Sequence, residues 1–275
     1  MNTRTEQWIF GAVVVLIALA LIGIAWLRYE REPEAPEPAL VPAATEAEGP
    51  EHPLPPPEDD EAAGERRLVP LPPLGNSDDY FSLELGSLFG ASLEELLADE
   101  AVIEKFVATI DNLPRDKLAE RLRPIDKVPG TFTAEPTDDP ARFTPDPENA
   151  ERYEPLVALF TTTRTEDIVG LYRRFYPLFQ EAYVGLGYPD GYFNDRVVTV
   201  IDDLLATPDP PEPPVLVRPH VLYQYADREL ESLSSGQKAL LRMSDAQRDA
   251  VRDKLREVRN ALADAESRPT DDPAE

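Results

Sequence analysis

Leu-Ser-Ser-Gly-Gln at 233–237 opens a helical run. A serine–glycine turn at a helix start can aim backbone N–H groups at a nucleotide phosphate. A nucleotide site also needs a phosphate loop, G-x-x-x-x-G-K-[ST], whose amides and lysine hold the phosphates. None of the 13 glycines is followed by lysine. The expected role of the stretch is therefore structural. Ser234 or Ser235 caps a helix, Gly236 permits a tight entry, and Leu240, Leu241 and Met243 face the core. Neither a nucleotide nor any other cofactor is expected.

Other reactive types are scarce. The chain has no cysteine and two histidines, His52 and His220. Disulfides, thiolate metal sites and cysteine nucleophiles are excluded, and most zinc sites and nucleophile–histidine triads with them, so no metal is expected. Carboxylates are abundant, and acid–base hydrolysis needs two of them at a set separation in a cleft. Asp195 and Asp202 are the candidates for such a pair. Asp202 and Asp203 point to different faces of a helix, and Asp111 and Asp195 fit helix ends equally well. No catalytic residue is assigned, and a non-enzymatic role is the leading expectation. Arg115, Lys117, Arg121 and Arg123, with Lys127 beyond them, form a basic cluster in an acidic chain. They are the candidate surface for an anion or an acidic partner, although Asp116, Glu120 and Asp126 are placed to pair with them. With 53 acidic against 27 basic residues and a net charge of −26, the chain repels nucleic acid.

The elements that would carry these residues are helical. Val102, Phe106, Val107 and Ile110 recur at helical spacing in 101–112, and Pro114 suits the first turn of a helix over 114–122. Ser92 and Glu95 fit a capping box. Residues 148–162 read as one helix with Tyr153, Leu156, Val157 and Phe160 on its apolar side. Thr165 can cap a long segment in which Ile168, Leu171, Tyr172, Phe175, Tyr176, Phe179 and Tyr183 form a wide stripe, interrupted by Pro177 and ended by Gly187. Surface tyrosines could anchor a partner, but this spacing is that of a core helix. Asn194 or Asp195 starts a further helix, and the prolines of 207–214 make a stiff connector. Residues 215–225 read as extended or irregular, with a short extended piece near Phe132. Ser244 and Gln247 cap a last helix over 245–263, with Val251, Leu255, Val258 and Leu262 inward and Asp249–Arg252 and Asp253–Arg256 pairs outside.

Two segments precede this body. Ile9 to Leu27 are 19 residues without a charge, about 28 Å of helix against a hydrocarbon core of ~30 Å. Trp8 and Trp26 stand where indole rings favour the headgroup boundary. An uncleaved single-span anchor contacting the bilayer through residues 8–27 is expected. The short N-terminal tail suits an inside N-terminus, which would put the body in the periplasm. Residues 30–75 are dense in Pro, Glu and Ala, part of a chain total of 30 prolines, and read as a disordered tether. His52 is expected to be solvated there.

The expected organisation is thus an anchor at 1–29, a tether at 30–75, a mostly α multi-helix domain at 76–263 and an acidic tail at 264–275. Several strings together, DNLPR (111–115), LYRRFYPLFQEAY (171–183), LGYP (186–189), FNDR (193–196), DDLLATP (202–208), LVRPHVLYQYAD (216–227) and LSSGQKALLRM (233–243), resemble a family of Gram-negative bacterial proteins known as a domain of unknown function. The resemblance covers roughly residues 70 to 260. It accounts for LSSGQ better than the signature loop of ATP-binding cassette proteins, which that stretch also looks like. It implies a cell-envelope protein and carries over no catalytic residue. The order of anchor, spacer and domain points to a protein or cell-wall partner, the alternatives being an envelope hydrolase with paired carboxylates or a cytoplasmic-facing membrane scaffold.

Overall fold

The computed structural model describes residues 49–54, 70–90, 93, 97–124 and 131–263. Helix α1 (Asp78–Phe89) buries Phe81, Leu85 and Phe89. Asp78 in its first turn accepts hydrogen bonds from the backbone N–H groups of Ala101 (2.7 Å) and Val102 (2.8 Å), fastening α1 to the start of α2 (Val102–Asn112). Ala101 takes a left-handed conformation with φ 54°, an unfavourable region for alanine that these bonds help to hold.

The stretch 113–122 departs from the helix expected of it. Only a 3-10 turn, Glu120–Leu122, forms there. The carbonyls that would build a helix after Pro114 are used across the fold. Leu113 O accepts from Gly236 N at 3.0 Å and Ser235 Oγ at 2.9 Å, and Arg115 O accepts from Ser235 N at 2.8 Å. The expected single helix over 148–162 is likewise two, α3 (Glu148–Glu151) and α4 (Glu154–Thr162). Pro155 has no N–H to bond the Glu151 carbonyl, so the chain turns at Arg152–Tyr153.

The long stripe forms one helix, α5 (Thr165–Gly185), which continues through Pro177; Gly187 follows it at φ 105°. Then come α6 (Phe193–Leu205), α7 (Arg228–Glu231), α8 (Ser235–Leu240) and α9 (Asp245–Ala263). Helix α9 lies against α4, α5 and α6, while α2 packs on α1, α5 and α6. The expected inner residues of α9, Val251, Leu255, Val258 and Leu262, are all buried. Phe179 is the hub of the core, with ring centroids at 5.2 Å from Phe106, 5.6 Å from Tyr172, 5.7 Å from Phe81 and 6.0 Å from Phe193. Such aromatic pairs add about 0.5–1.5 kcal/mol each beyond the area they bury.

A small antiparallel sheet sits beside the helices. Its order is β1 (Ala134–Pro136), β2 (Arg142–Pro145), β3 (Leu216–Val217), β4 (Gln224–Tyr225). Leu216 faces Tyr225 in register, and both join Leu241 in a second apolar cluster with Phe132, Phe143 and Tyr223 against it. The domain is thus mostly α with a minor sheet.

Part of the expected tether is packed. Residues 49–54 lie on the domain, with Leu54 against the core, and Leu71 and Leu74 pack there too. The backbone of His52 is held by Asn194 and Asp195, so the solvated position expected for this residue does not hold. The anchor at 8–27, the Ser92–Glu95 pair, Lys127 and the acidic tail lie outside the described residues. Among the described residues, no helix is long and apolar enough to cross a membrane.

Candidate functional site

Four of the quoted strings meet at one junction. Asp111, in the last turn of α2, keeps only 4% of its side chain exposed. Arg115 Nη2 lies 3.0 Å from one of its carboxylate oxygens and Arg196 Nε 2.9 Å from the other. Arg196 Nη2 also donates to the Asp111 carbonyl at 2.5 Å, and the Tyr188 hydroxyl donates to the carboxylate at 3.3 Å. Tyr188 stacks on Tyr183 with centroids 4.7 Å apart. Burial and the nearby Asp111 raise the Tyr183 hydroxyl above the ordinary tyrosine range.

LSSGQ closes this junction from the α8 side. Ser234 is the N-cap, and its hydroxyl and the Gln237 side chain form a reciprocal capping box. The Ser234 hydroxyl also donates to Asp203 at 2.7 Å, and Gln237 Nε2 to the Asp203 carbonyl at 2.8 Å. Burial raises the Asp203 carboxyl, while the Ser234 bond and Arg196 oppose the shift. The two amides that could have faced a phosphate, those of Ser235 and Gly236, point at the protein's own carbonyls instead. Glycine is required at 236 by approach. A Cβ there would sit 2.6 Å from Leu204 Cδ2.

Three of the four residues of the expected basic surface, Arg115, Lys117 and Arg121, are exposed. Arg115 is committed to Asp111, and Arg123 is buried. The two carboxylates expected as a possible pair have separate partners. Asp202 receives Arg259 at 2.5 and 2.9 Å, whereas Asp195 accepts two backbone N–H groups of the 49–54 segment. Asp209 receives Arg248 and two contacts from Arg252, at 2.8 to 3.0 Å, which ties the proline connector to α9. These arginine bonds hold the Asp209 carboxyl below the usual carboxylate range.

A cavity of 410 Å³ opens between that connector, the sheet and the α8–α9 junction. Phe132, Leu216, Tyr225 and Met243 give it apolar walls, the prolines of 210–214 form one side, and Arg242 and Arg248 bring guanidinium groups to the lining. Tyr225 lies at its base, its hydroxyl raised by burial and partly eased by a hydrogen bond with Arg242. The volume is that of a small-ligand pocket, apolar with a few polar groups. Sequence reasoning missed this site, because its walls come from five separated stretches. The available signal was the proline run beside LVRPHVLYQYAD, which reads as a spacer when taken alone. Among the described residues, no cluster of acidic or histidine side chains could hold a metal.

Neither a curated protein nor a solved structure matches the chain. The family described as Protein of unknown function (DUF3014) matches residues 102–259, which span both the Asp111 junction and the whole cavity wall, and the chain belongs to that family.

Proposed function

We propose that the chain is a single-pass protein of the bacterial inner membrane, anchored through residues 8–27, whose helical domain stands in the periplasm and binds a protein or cell-wall partner without catalysing a reaction on it. The observation that carries the reading is the 410 Å³ cavity, apolar on most sides with Arg242 and Arg248 in its wall. A ligand suited to it carries an apolar side chain with a few polar groups, as peptide stems of the cell wall and protein C-termini do. Asp111 and Asp202 of the quoted strings, and Asp209 beside them, are spent on internal ion pairs, which supports the non-catalytic part of the reading.

Titrating the full chain in detergent with soluble wall stem peptides, followed by calorimetry, tests the ligand. Saturable binding is expected, and Pro213→Trp, which fills the cavity from an exposed rim position, abolishes it. Cleavage of the stem peptides by the chain would overturn the binding reading. A C-terminal alkaline phosphatase fusion tests the topology. Active phosphatase is expected, and a cytoplasmic C-terminus refutes the periplasmic placement.

A further inference from the structure

Residues 49–54 read Gly-Pro-Glu-His-Pro-Leu, and proline brackets the only two internal residues that carry a backbone N–H, Glu51 and His52. Both of those groups land on one carboxylate. Glu51 N donates to Asp195 Oδ2 at 3.1 Å and His52 N to Asp195 Oδ1 at 2.7 Å. The next polar group along the segment, the His52 carbonyl, accepts from Asn194 Nδ2 at 2.8 Å. Leu54 then packs against the core.

The receiving side is built in advance. Asn194 is 1% exposed. The Tyr172 hydroxyl lies 3.2 Å from its Oδ1, and its Nδ2 is also 3.4 Å from the Leu262 carbonyl. Tyr172 as donor to Oδ1 orients the amide so that its N–H groups face the segment. Burial drives Tyr172 well above the ordinary tyrosine range, which keeps this donor protonated. Asp195 sits in the first turn of α6, with its carboxylate turned toward the segment. The bonds read backbone groups alone, so the site selects an extended conformation more than side chains. Proline after His52 biases that residue to extended backbone, and proline at 50 does the same for Gly49. The segment therefore arrives largely preorganised for the contact.

We propose that the Asn194–Asp195 corner is a binding site for an extended peptide with two successive N–H groups bracketed by prolines, and that residues 51–54 fill it in cis as a releasable latch. A few hydrogen bonds and one leucine hold the latch, the kind of contact that opens far below global unfolding. The site stands independently of the cavity. Its consequence for reach rests on the proposed anchor. Release of residues 49–54 lengthens the stretch between that anchor and the next residue packed on the domain, Leu71.

The experiment uses the full chain in detergent micelles and amide hydrogen exchange. Glu51 and His52 are expected to exchange at least tenfold more slowly than in the free peptide Gly-Pro-Glu-His-Pro-Leu. Asp195→Ala returns them to the free rate while α2 and α5 stay protected, which shows that the domain remains folded. A latch variant, Glu51→Pro with His52→Pro, removes both donors yet stays extended. The labelled peptide binds this vacated chain at least tenfold more tightly than the wild type, and adding Asp195→Ala abolishes that binding. Unprotected amides in the wild type, protection that survives Asp195→Ala, or a peptide that ignores the vacated chain would each overturn the proposal. Protection that rises with chain concentration would put a second copy's segment in the site and overturn the cis assignment.

Discussion

Replacing Asp111 by asparagine keeps the shape of the side chain and deletes its charge. Arg196 loses its carboxylate while it keeps its bond to the Asp111 carbonyl. Stripping one member from a fully buried pair costs about 3–5 kcal/mol, whereas an exposed pair is worth about 1 kcal/mol or less. Asp111 is 4% exposed and Arg196 24%, so this pair falls between those limits, at about 2–3 kcal/mol. For a domain of this size, that lowers Tm by about 5–10 °C. Arg115 is 55% exposed and contributes little to the same carboxylate. Double-mutant cycles separate the two arginines. Urea unfolding followed by circular dichroism should give a coupling of about 1.5–2.5 kcal/mol for Asp111→Asn with Arg196→Met, and about 0.5 kcal/mol or less with Arg115→Met. An Arg196 coupling below about 0.5 kcal/mol, or an Arg115 coupling that equals it, refutes the ranking by burial.

Gly236→Ala places a Cβ 2.6 Å from Leu204 Cδ2 inside a fully buried contact. Overpacking of about 1–3 kcal/mol is partly offset by about 1 kcal/mol of helix propensity, so a net loss of about 1 kcal/mol is expected in urea melts. The Asp209 carboxyl is lowered in the fold, so its contribution is present above the unfolded value of about 3.9 and is lost as pH falls through the folded value. With its carboxylate largely exposed and screened by solvent, Asp209→Asn should cost about 0.5–1 kcal/mol at pH 7 and flatten the acid limb of stability against pH, as read by urea midpoints from pH 2 to 6. Tyr172 and Tyr225 are raised, so the sign reverses. Their contribution is present below the unfolded value of about 10 and is lost as pH rises through the folded one. Tyr225→Phe should reduce the alkaline loss of stability between pH 9 and 11.5, and absorbance at 295 nm should show both hydroxyls silent until the fold opens.

Helices with a long apolar stripe were legible from the residues. The stripes in α2, α5 and α9 recur at helical spacing, and their burial follows that spacing. The caps at Ser234 or Ser235, of which the structure uses Ser234, and at Ser244 with Gln247 were legible as well, because a cap bonds within three residues. What escaped depends on partners far along the chain. Residues 114–122 have helical letters, yet Leu113 O and Arg115 O bond to residues more than a hundred positions away. Extended chain was expected near Phe132 and at 215–225, but its pairing into one sheet with 142–145 was not, because strands of two to four residues are too short for an alternating pattern to show. Residues 49–54 have a disordered composition, and what orders them lies far along the chain, Asn194 and the carboxylate of Asp195, the latter 143 positions from His52. The burial of Arg123 escaped for the opposite reason. Proximity in sequence suggested one surface, but Arg123 turns inward while Lys117 and Arg121 stay outside.

The side chain of Asn194 touches both the entering strand of chain at His52 and the end of the last helix at Leu262. The polypeptide therefore comes in and goes out at one place, like a loop closed by a clasp. A domain closed in this way can be spliced into a surface loop of a host protein without prying the host apart, or have its ends joined and reopened elsewhere. The exposed tip at Pro219–Val221, between β3 and β4, is a natural place for such new ends.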